Sequence, residues 1–228
     1  MYIITTGLNP SEDFIAHHGI KGQKWGVRRY RVKGSSLTLA NSIYSKASKK
    51  EPKITSDVSD ALKGTSAKFY GLENRLKTKE SIERKIRTDA KEKNISMTEA
   101  SKIKDAIRYT VVSKDNDYVK NYNSIKKSLE NKGYTEIRCK NYFDLYNKGE
   151  VKHKSVQSVF QNKDGDIFEL QFQTPASQNV KDKKTPLYEE ARNPNTSSKR
   201  KKELERQMEL LAEGISTPKD IDKIKSHG

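Results

Sequence analysis

The stretch DIFELQFQT (166–174) alternates strictly, with Phe168, Leu170 and Phe172 on one side and Glu169, Gln171 and Gln173 on the other. That period of two is the pattern of a half-buried strand. Its polar side either meets solvent or lines the floor of a cleft. In a cleft, Glu169 is a confined carboxylate, suited to general-base work or to helping hold a metal ion. A second run, AIRYTVV (106–112), is β-branched and aromatic apart from one cation, Arg108. A guanidinium in an apolar strand needs a partner, and Glu169 is one candidate if the two strands are neighbours.

Positioning these residues takes a sheet and its covering helices. Strands are expected at 106–112, 134–143, 155–161 and 166–174. The last two flank Asn162-Lys163-Asp164-Gly165, a hairpin signal. Val58, Leu62, Phe69, Leu72 and Leu76 fall near helical spacing and predict one or two helices over 56–76. Further helices are expected at 81–93, 97–104, 118–129, 176–192 and 198–213. The fold class is therefore α+β: a mixed sheet of four or five strands flanked by helices. From Lys33 to Lys53 the chain is rich in Ser and Lys and reads as linker, with a weak helix near Leu37–Tyr44.

Composition narrows the function classes. The 228 residues hold 46 Lys and Arg against 30 Asp and Glu, a net charge of +16, with 32% hydrophobic residues. No apolar run approaches the roughly 20 residues that span a bilayer, so no membrane insertion is expected. The opening residues lack the basic start and apolar stretch of a signal peptide, so ordinary secretion is not expected. One cysteine, Cys139, rules out an internal disulfide and a Cys-rich zinc site. The charge calls for an anionic partner, and its distribution is uneven. Residues 1–50 have nine Lys and Arg against two acidic residues, a net of +7, whereas residues 105–174 have a net of +2.

Four segments in order carry a resemblance. FYGLENRLKTKESIERKI (69–86) is similar to an Arg-x-Lys motif followed by Ser and Lys on the next helix. IKDAIRYTVV (103–112) is similar to an Asp-bearing loop that enters an Arg-bearing strand. KHKSVQ (152–157) stands where a guanine-stacking loop belongs, and FELQFQTPAS (168–177) is similar to a Glu-x-Gln-x-x-Thr strand. Together, over residues 65–192, they resemble the synthetase domain of the RelA/SpoT alarmone family and its small toxin relatives. The resemblance implies transfer of pyrophosphate from ATP to the 3′-hydroxyl of a nucleotide or of tRNA, with Mg²⁺ as cofactor. It places Arg75, Lys77, Ser81 and Lys85 on the donor phosphates and Arg108 in the same cleft. It further places Glu169 on the acceptor hydroxyl with Gln171 beside it, Asp105 on the metal together with Glu169, and His153 and Lys154 at the acceptor.

Some positions depart from the family pattern. Asp105 precedes Arg108 by three residues where the family has five, and His153 and Gln157 replace the loop's tyrosine and final histidine. Arg75, Lys77 and Lys85 also read as a solvated helix face, and Asp105 as a local cap or ion-pair partner.

The block HHGIKGQKWGVRRY (17–30) resembles a segment that recurs near an end of phage proteins linked with portals, capsids or head morphogenesis. Trp25 flanked by Lys24, Arg28 and Arg29 is an aromatic anchor among cations, a common contact pattern for proteins and nucleic acid. The expected organisation is a docking or packaging segment at 1–34, a linker at 35–55, the RelA/SpoT-like domain at 56–192, and a helix with a tail at 193–228. The expected function is that of a phage or prophage protein, a virion-associated effector acting in the virion or the host cytoplasm. Its partners would be a nucleotide or tRNA acceptor, and head or portal proteins or packaged DNA through the basic segment. The alternatives are a non-catalytic virion component that retains the fold, and a basic nucleic-acid-binding protein.

Overall fold

The computed structural model describes residues 33–148, 153–193 and 195–228. The first element corrects the linker expectation. Lys33–Leu62 is one 30-residue helix, α1. Ser36, Ala40, Ala47, Glu51, Ile54, Val58 and Ala61 are buried, with Ile43 half-buried between them. Those positions recur at intervals of three and four, so one face is continuous along the helix. Half of the stripe is Ala or Ser, whose small apolar payload hid the period in a Ser- and Lys-rich stretch.

The helices expected over 56–76 end earlier, at Leu62. After Leu62 the chain turns into a short strand, β1 (Lys68–Tyr70), and a 3-10 turn at Leu72–Asn74. Phe69 therefore packs from an edge strand. Helix α2 (Lys79–Glu92) starts at Thr78, whose side chain accepts from the Ser81 amide, and buries Ile82 and Ile86. These pack with Ala40 and Ala100 in a small second cluster. Met97–Ala100 is a single turn, α3.

The remaining strands are β2 (Arg108–Val112), β3 (Tyr134–Asn141), β4 (Val156–Asn162) and β5 (Ile167–Gln173). They form one sheet of order β1-β2-β5-β4-β3. The β2 and β5 strands are parallel and all other neighbours antiparallel, so the expected mixed sheet is observed with five strands. The β4–β5 hairpin turns at Gly165, whose φ of +76° is a left-handed conformation that glycine adopts without strain.

Alternation divides the sheet into two faces. Tyr109, Val111, Phe160, Phe168, Leu170 and Phe172 point to the main core, together with Ile54 and Val58 of α1 and Ile125 and Leu129 of α4 (Tyr118–Asn131). The opposite face carries Arg108, Gln157, Glu169, Gln171 and Gln173. The turn of helix α5 (Tyr142–Asn147), which the sequence pattern did not reveal, follows β3 and is capped by Asn141. Helix α6 (Pro175–Ala191) begins in a Thr174–Ser177 capping box, and α7 (Ser198–Glu213) packs against it. No described helix is long and apolar enough to cross a membrane. At the outer edge of the sheet, Cys139 of β3 exchanges two backbone hydrogen bonds with His227, at 2.9 and 2.8 Å.

Candidate active site

Parallel pairing of β2 with β5 sets Arg108 opposite Glu169 and Thr110 opposite Gln171. Glu169 is only 6% exposed, so the polar side of this strand is covered and not solvated. Its partner is not Arg108. Glu169 Oε2 lies 3.2 Å from Nη2 of Arg138 on β3, and its Oε1 accepts from Gln171 Nε2 at 2.6 Å. Gln171 Oε1 in turn accepts from Lys181 Nζ of α6 at 2.8 Å. The result is a linked row, Arg138–Glu169–Gln171–Lys181, across three strands and a helix.

Arg108 makes no side-chain hydrogen bond or ion pair among the described residues. Its charge is nevertheless felt on both sides. It helps depress Lys181, whose burial is the larger cause, and it adds to the cations that stabilise the Asp105 carboxylate. A half-buried guanidinium without a partner is a ready anion site.

Beside it, Asp105 pairs with Lys77, Nζ to Oδ2 2.7 Å, with both side chains less than one-fifth exposed. Burial alone would raise the Asp105 pKa. The charge and hydrogen bond of Lys77, with smaller contributions from Lys85 and Arg108, hold it below the usual carboxylate range. Asp105 Oδ1 is buried with no hydrogen-bond partner. One carboxylate oxygen left over in a cationic setting fits a single-carboxylate magnesium site, since Mg²⁺ takes its other ligands from water and phosphate. Glu169, expected as a second metal ligand, has one bond to each oxygen, from Arg138 and from Gln171, whereas Asp105 Oδ1 has none.

Arg75 does not join this group. Its guanidinium pairs with Glu51 of α1, and Glu51 also accepts from Thr55, whose hydroxyl lies 2.8 Å from that of Tyr109. Tyr109 faces the main core, so Arg75 is drawn to the α1 side of the sheet and away from Arg108 and Glu169. Lys85 lies 3.6 Å from Asp89 one turn on, yet it contributes to the field at Asp105. Ser81 is at the start of α2, where its hydroxyl accepts from Thr78 and from Arg84.

A cavity of about 680 Å³ opens over the Gln171–Lys181 end of the row. Its floor is Gln157, Gln171 and Gln173, and one wall is Lys181, Lys184 and Tyr188 of α6. The other wall is Glu205, Met208 and Glu209 of α7, with Ile215 beyond it. His153 stands at the rim, its ring 4.1 Å from that of Tyr142. Loss of water, followed by the charges of Lys184 and Lys181, keeps His153 below its ordinary pKa. Lys154 is occupied elsewhere: its ammonium is buried, bonds the Ile215 carbonyl and lies 4.3 Å from the Tyr146 ring centre. It is a brace for the cavity wall and not a cation free for a ligand. Trp25, Lys24, Arg28 and Arg29 lie outside the described residues.

Two members of the row were not foreseen, Arg138 and Lys181. A β-bulge between Glu136 and Arg138 reverses the alternation of β3 and turns Arg138 to the cleft face. Lys181 follows a readable spacing, since Ser177, Lys181, Lys184 and Tyr188 recur at helical intervals along the cavity wall. Away from the cleft, Glu136, Cys139 and His227 bring ligand atoms within 4.8 Å of one another. Lys126 Nζ at 2.7 Å from Glu136 Oε2 and the Tyr122 hydroxyl at 2.8 Å from Oε1 satisfy that carboxylate as an ion-pair network.

In class, the molecule is an α+β protein with one covered polar sheet face. Residues 9–32 match a family of unknown function, DUF7211. No curated protein matches the chain. The chain is similar to the solved structure of small alarmone synthetase 1 from Bacillus subtilis bound to its product pppGpp, with 19% identity over 74% of this chain and 87% of that one, at a TM-score of 0.46. It is similar to a GTP pyrophosphokinase family protein from Streptococcus pneumoniae, with 13% identity over 90% and 89% of the two chains and a TM-score of 0.43. The type VI effector Tas1, solved with its immunity protein, is similar at 17% identity over 75% and 93%, with a TM-score of 0.43.

Proposed function

We propose that the covered polar face is a pyrophosphoryl-transfer site that takes ATP as donor and the 3′-hydroxyl of a nucleotide or of tRNA as acceptor. Two open groups carry this reading: Arg108, unpaired among the described residues, and Asp105 Oδ1, buried without a partner. A triphosphate with its cation supplies what both lack. The ordered segments from Arg75 to Thr174 that resemble the alarmone synthetase domain support the same reaction class.

In this arrangement Lys77, Arg108 and Lys85 receive the donor phosphates. Asp105 holds Mg²⁺, which neutralises phosphate charge when bound. Arg75 supports the site from the α1 side through Glu51. The acceptor occupies the 680 Å³ cavity, where three glutamine amides offer hydrogen bonds to a base edge and His153 with Tyr142 offers a stacking surface. Incubation with ATP, Mg²⁺ and GDP, GTP or tRNA, with AMP release followed by chromatography, tests the assignment. Absence of ATP binding, or binding indifferent to Arg108→Ala, overturns it.

The basic segment 1–34 is proposed as a docking handle for a phage head or portal protein or packaged DNA, which would make the chain a virion-associated effector. A net charge of +7 in residues 1–50, the Trp25 cluster and the match of residues 9–32 to a family of their own support a portable segment. Purified particles containing the protein, and loss of it on Trp25→Ala, are the expected results. A non-catalytic head component that keeps the fold is the second reading, favoured by the clamp of Arg138 and Gln171 on Glu169. Fixed stoichiometry in particles without any AMP release would select it.

A further inference from the structure

We propose that Lys181, and not Glu169, is the base that takes the proton from the acceptor hydroxyl. This inference rests on the pyrophosphoryl-transfer reading above. In the step, the acceptor oxygen bonds the β-phosphorus of ATP, the bond from that phosphorus to the α–β bridging oxygen breaks, and AMP leaves with the bonding pair. The hydroxyl proton passes to the neutral amine of Lys181, which becomes an ammonium.

Glu169 is poorly placed for that work. Arg138 donates to one of its oxygens and Gln171 to the other. Both of its oxygens are turned to protein donors, and it does not line the acceptor cavity, whereas Lys181 does. Its geometry fits a different task, which is to orient Gln171. Because a carboxylate only accepts, the Gln171 NH₂ must face Glu169 and its carbonyl must face Lys181. Lys181 therefore spends one N–H on Gln171 Oε1. The remaining positions on a neutral amine, one N–H and the lone pair, are left for the cavity whose wall Lys181 forms.

The surroundings favour the neutral amine. Lys181 has no carboxylate at ion-pair distance among the described residues. Facing it are Arg108 and Glu169 from the sheet, with Arg138 behind Glu169. Asp182 and Lys184 come from its own helix, Glu205 and Glu209 from α7, and His153 from the rim. Burial, and then the Arg108 guanidinium, push its pKa down to about 8, against weaker support from Asp182 and Glu169. An amine that gives up its proton near neutrality can act as a base, while an arginine in the same place cannot.

The test compares wild type, Lys181→Arg and Lys181→Met in single-turnover AMP release across pH 6 to 9.5, with ATP and acceptor affinities measured alongside. Wild-type turnover is expected to rise with pH and level off above about 8. Lys181→Arg is expected to bind ATP and acceptor within about threefold of wild type and to lose about 10²- to 10⁴-fold in turnover, the usual contribution of a general base, together with the pH-dependent limb. Lys181→Met should lose turnover to a similar degree. Its thermal unfolding, with that of Lys181→Arg, separates loss of fold from loss of chemistry. Full turnover with an unchanged pH profile in Lys181→Arg overturns the proposal, since a fixed cation would then suffice. No AMP from wild type with any acceptor overturns it too, but through failure of the underlying transferase reading, which the first outcome leaves intact.

Discussion

Arg138 on β3 reaches across Val159 on β4 to place Nη2 3.2 Å from Glu169 Oε2 on β5. Val159 pairs with both residues in the ladder, and its short side chain leaves the span open. The carboxylate expected to meet Arg108 is thus satisfied from the other side, and Arg108 is left without an ion-pair partner among the described residues. Replacing either arginine should separate support from function. Arg138→Ala strands a carboxylate that is 7% exposed, and about 3 kcal/mol of stability is expected to go with it. For a chain of this size that is a fall in Tm of roughly 6–12 °C. Arg108→Ala should leave Tm within about 2 °C, because it breaks no ion pair among the described residues. It should also weaken ATP binding at least about tenfold. Calorimetry and ATP titration of both variants provide the comparison.

The single carboxylate at Asp105 makes ion and acid sensitivity converge on one residue. Asp105→Asn should weaken Mg²⁺-dependent ATP binding while metal-free binding is less affected, which titration with and without Mg²⁺ would reveal. Its pKa is held below the unfolded value, so its stabilising contribution is present at neutral pH and is lost as pH falls through the carboxylate range. Urea unfolding at pH 7, 4 and 3 should therefore show a shallower acid decline in Asp105→Asn than in wild type. Equal declines would mean that Asp105 is not a linked group.

Along α1 the expectation is that of a core helix. Ile54 is fully buried, and Ile54→Ala should cost about 3 kcal/mol. Leu37 is 45% exposed, and Leu37→Ser should stay within about 0.5 kcal/mol. If residues 35–55 behaved as a linker, both variants would match wild type in chemical denaturation.

At the cavity rim, His153→Ala should raise the acceptor KM about tenfold, near the lower end of what one aromatic stack on a base provides. His153→Phe should restore most of it, and ATP affinity should not change. Steady-state kinetics with acceptor varied at saturating ATP would show this. An unchanged KM in His153→Ala removes stacking from the acceptor assignment.

How much of this was legible depended on how strongly each side chain declares its surroundings. The β5 alternation announced both faces of the sheet, because Phe168, Leu170 and Phe172 are large and leave Glu169 and Gln171 no ambiguity. Strand β2 was legible from its own β-branched and aromatic run, but its parallel direction against β5 was not. The α1 stripe was not legible, because Ala40 and Ala47 bury little area and sit among solvated lysines. Arg138 was hidden by the bulge, an event in pairing that no single-strand pattern records. Lys181 shares a helical spacing with Ser177, Lys184 and Tyr188, but in Lys181-Asp182-Lys183-Lys184 the packing of α6 was needed to show that this stripe, and not another, faces the cleft. Arg75 and Lys77 are two residues apart and look equivalent in sequence, yet Glu51 claims one and Asp105 the other.

The two backbone bonds between Cys139 and His227 bear on how the molecule behaves among its own copies. An open outer strand presents a row of free amides and carbonyls to any other extended chain. Residues 226–228 lie across part of that row on β3, and Asn141 is held there by the Ser226 hydroxyl at 2.9 Å. Gly228 permits the closeness: its φ is +89°, and a Cβ there would stand 2.4 Å from the Ile137 carbonyl oxygen. The opposite border, β1, is three residues long and too short a template to recruit a partner strand. With one border partly covered and the other truncated, the sheet offers little open edge to self-templated stacking, and a bulkier residue at 228 would meet the Ile137 carbonyl and press the segment off β3 there.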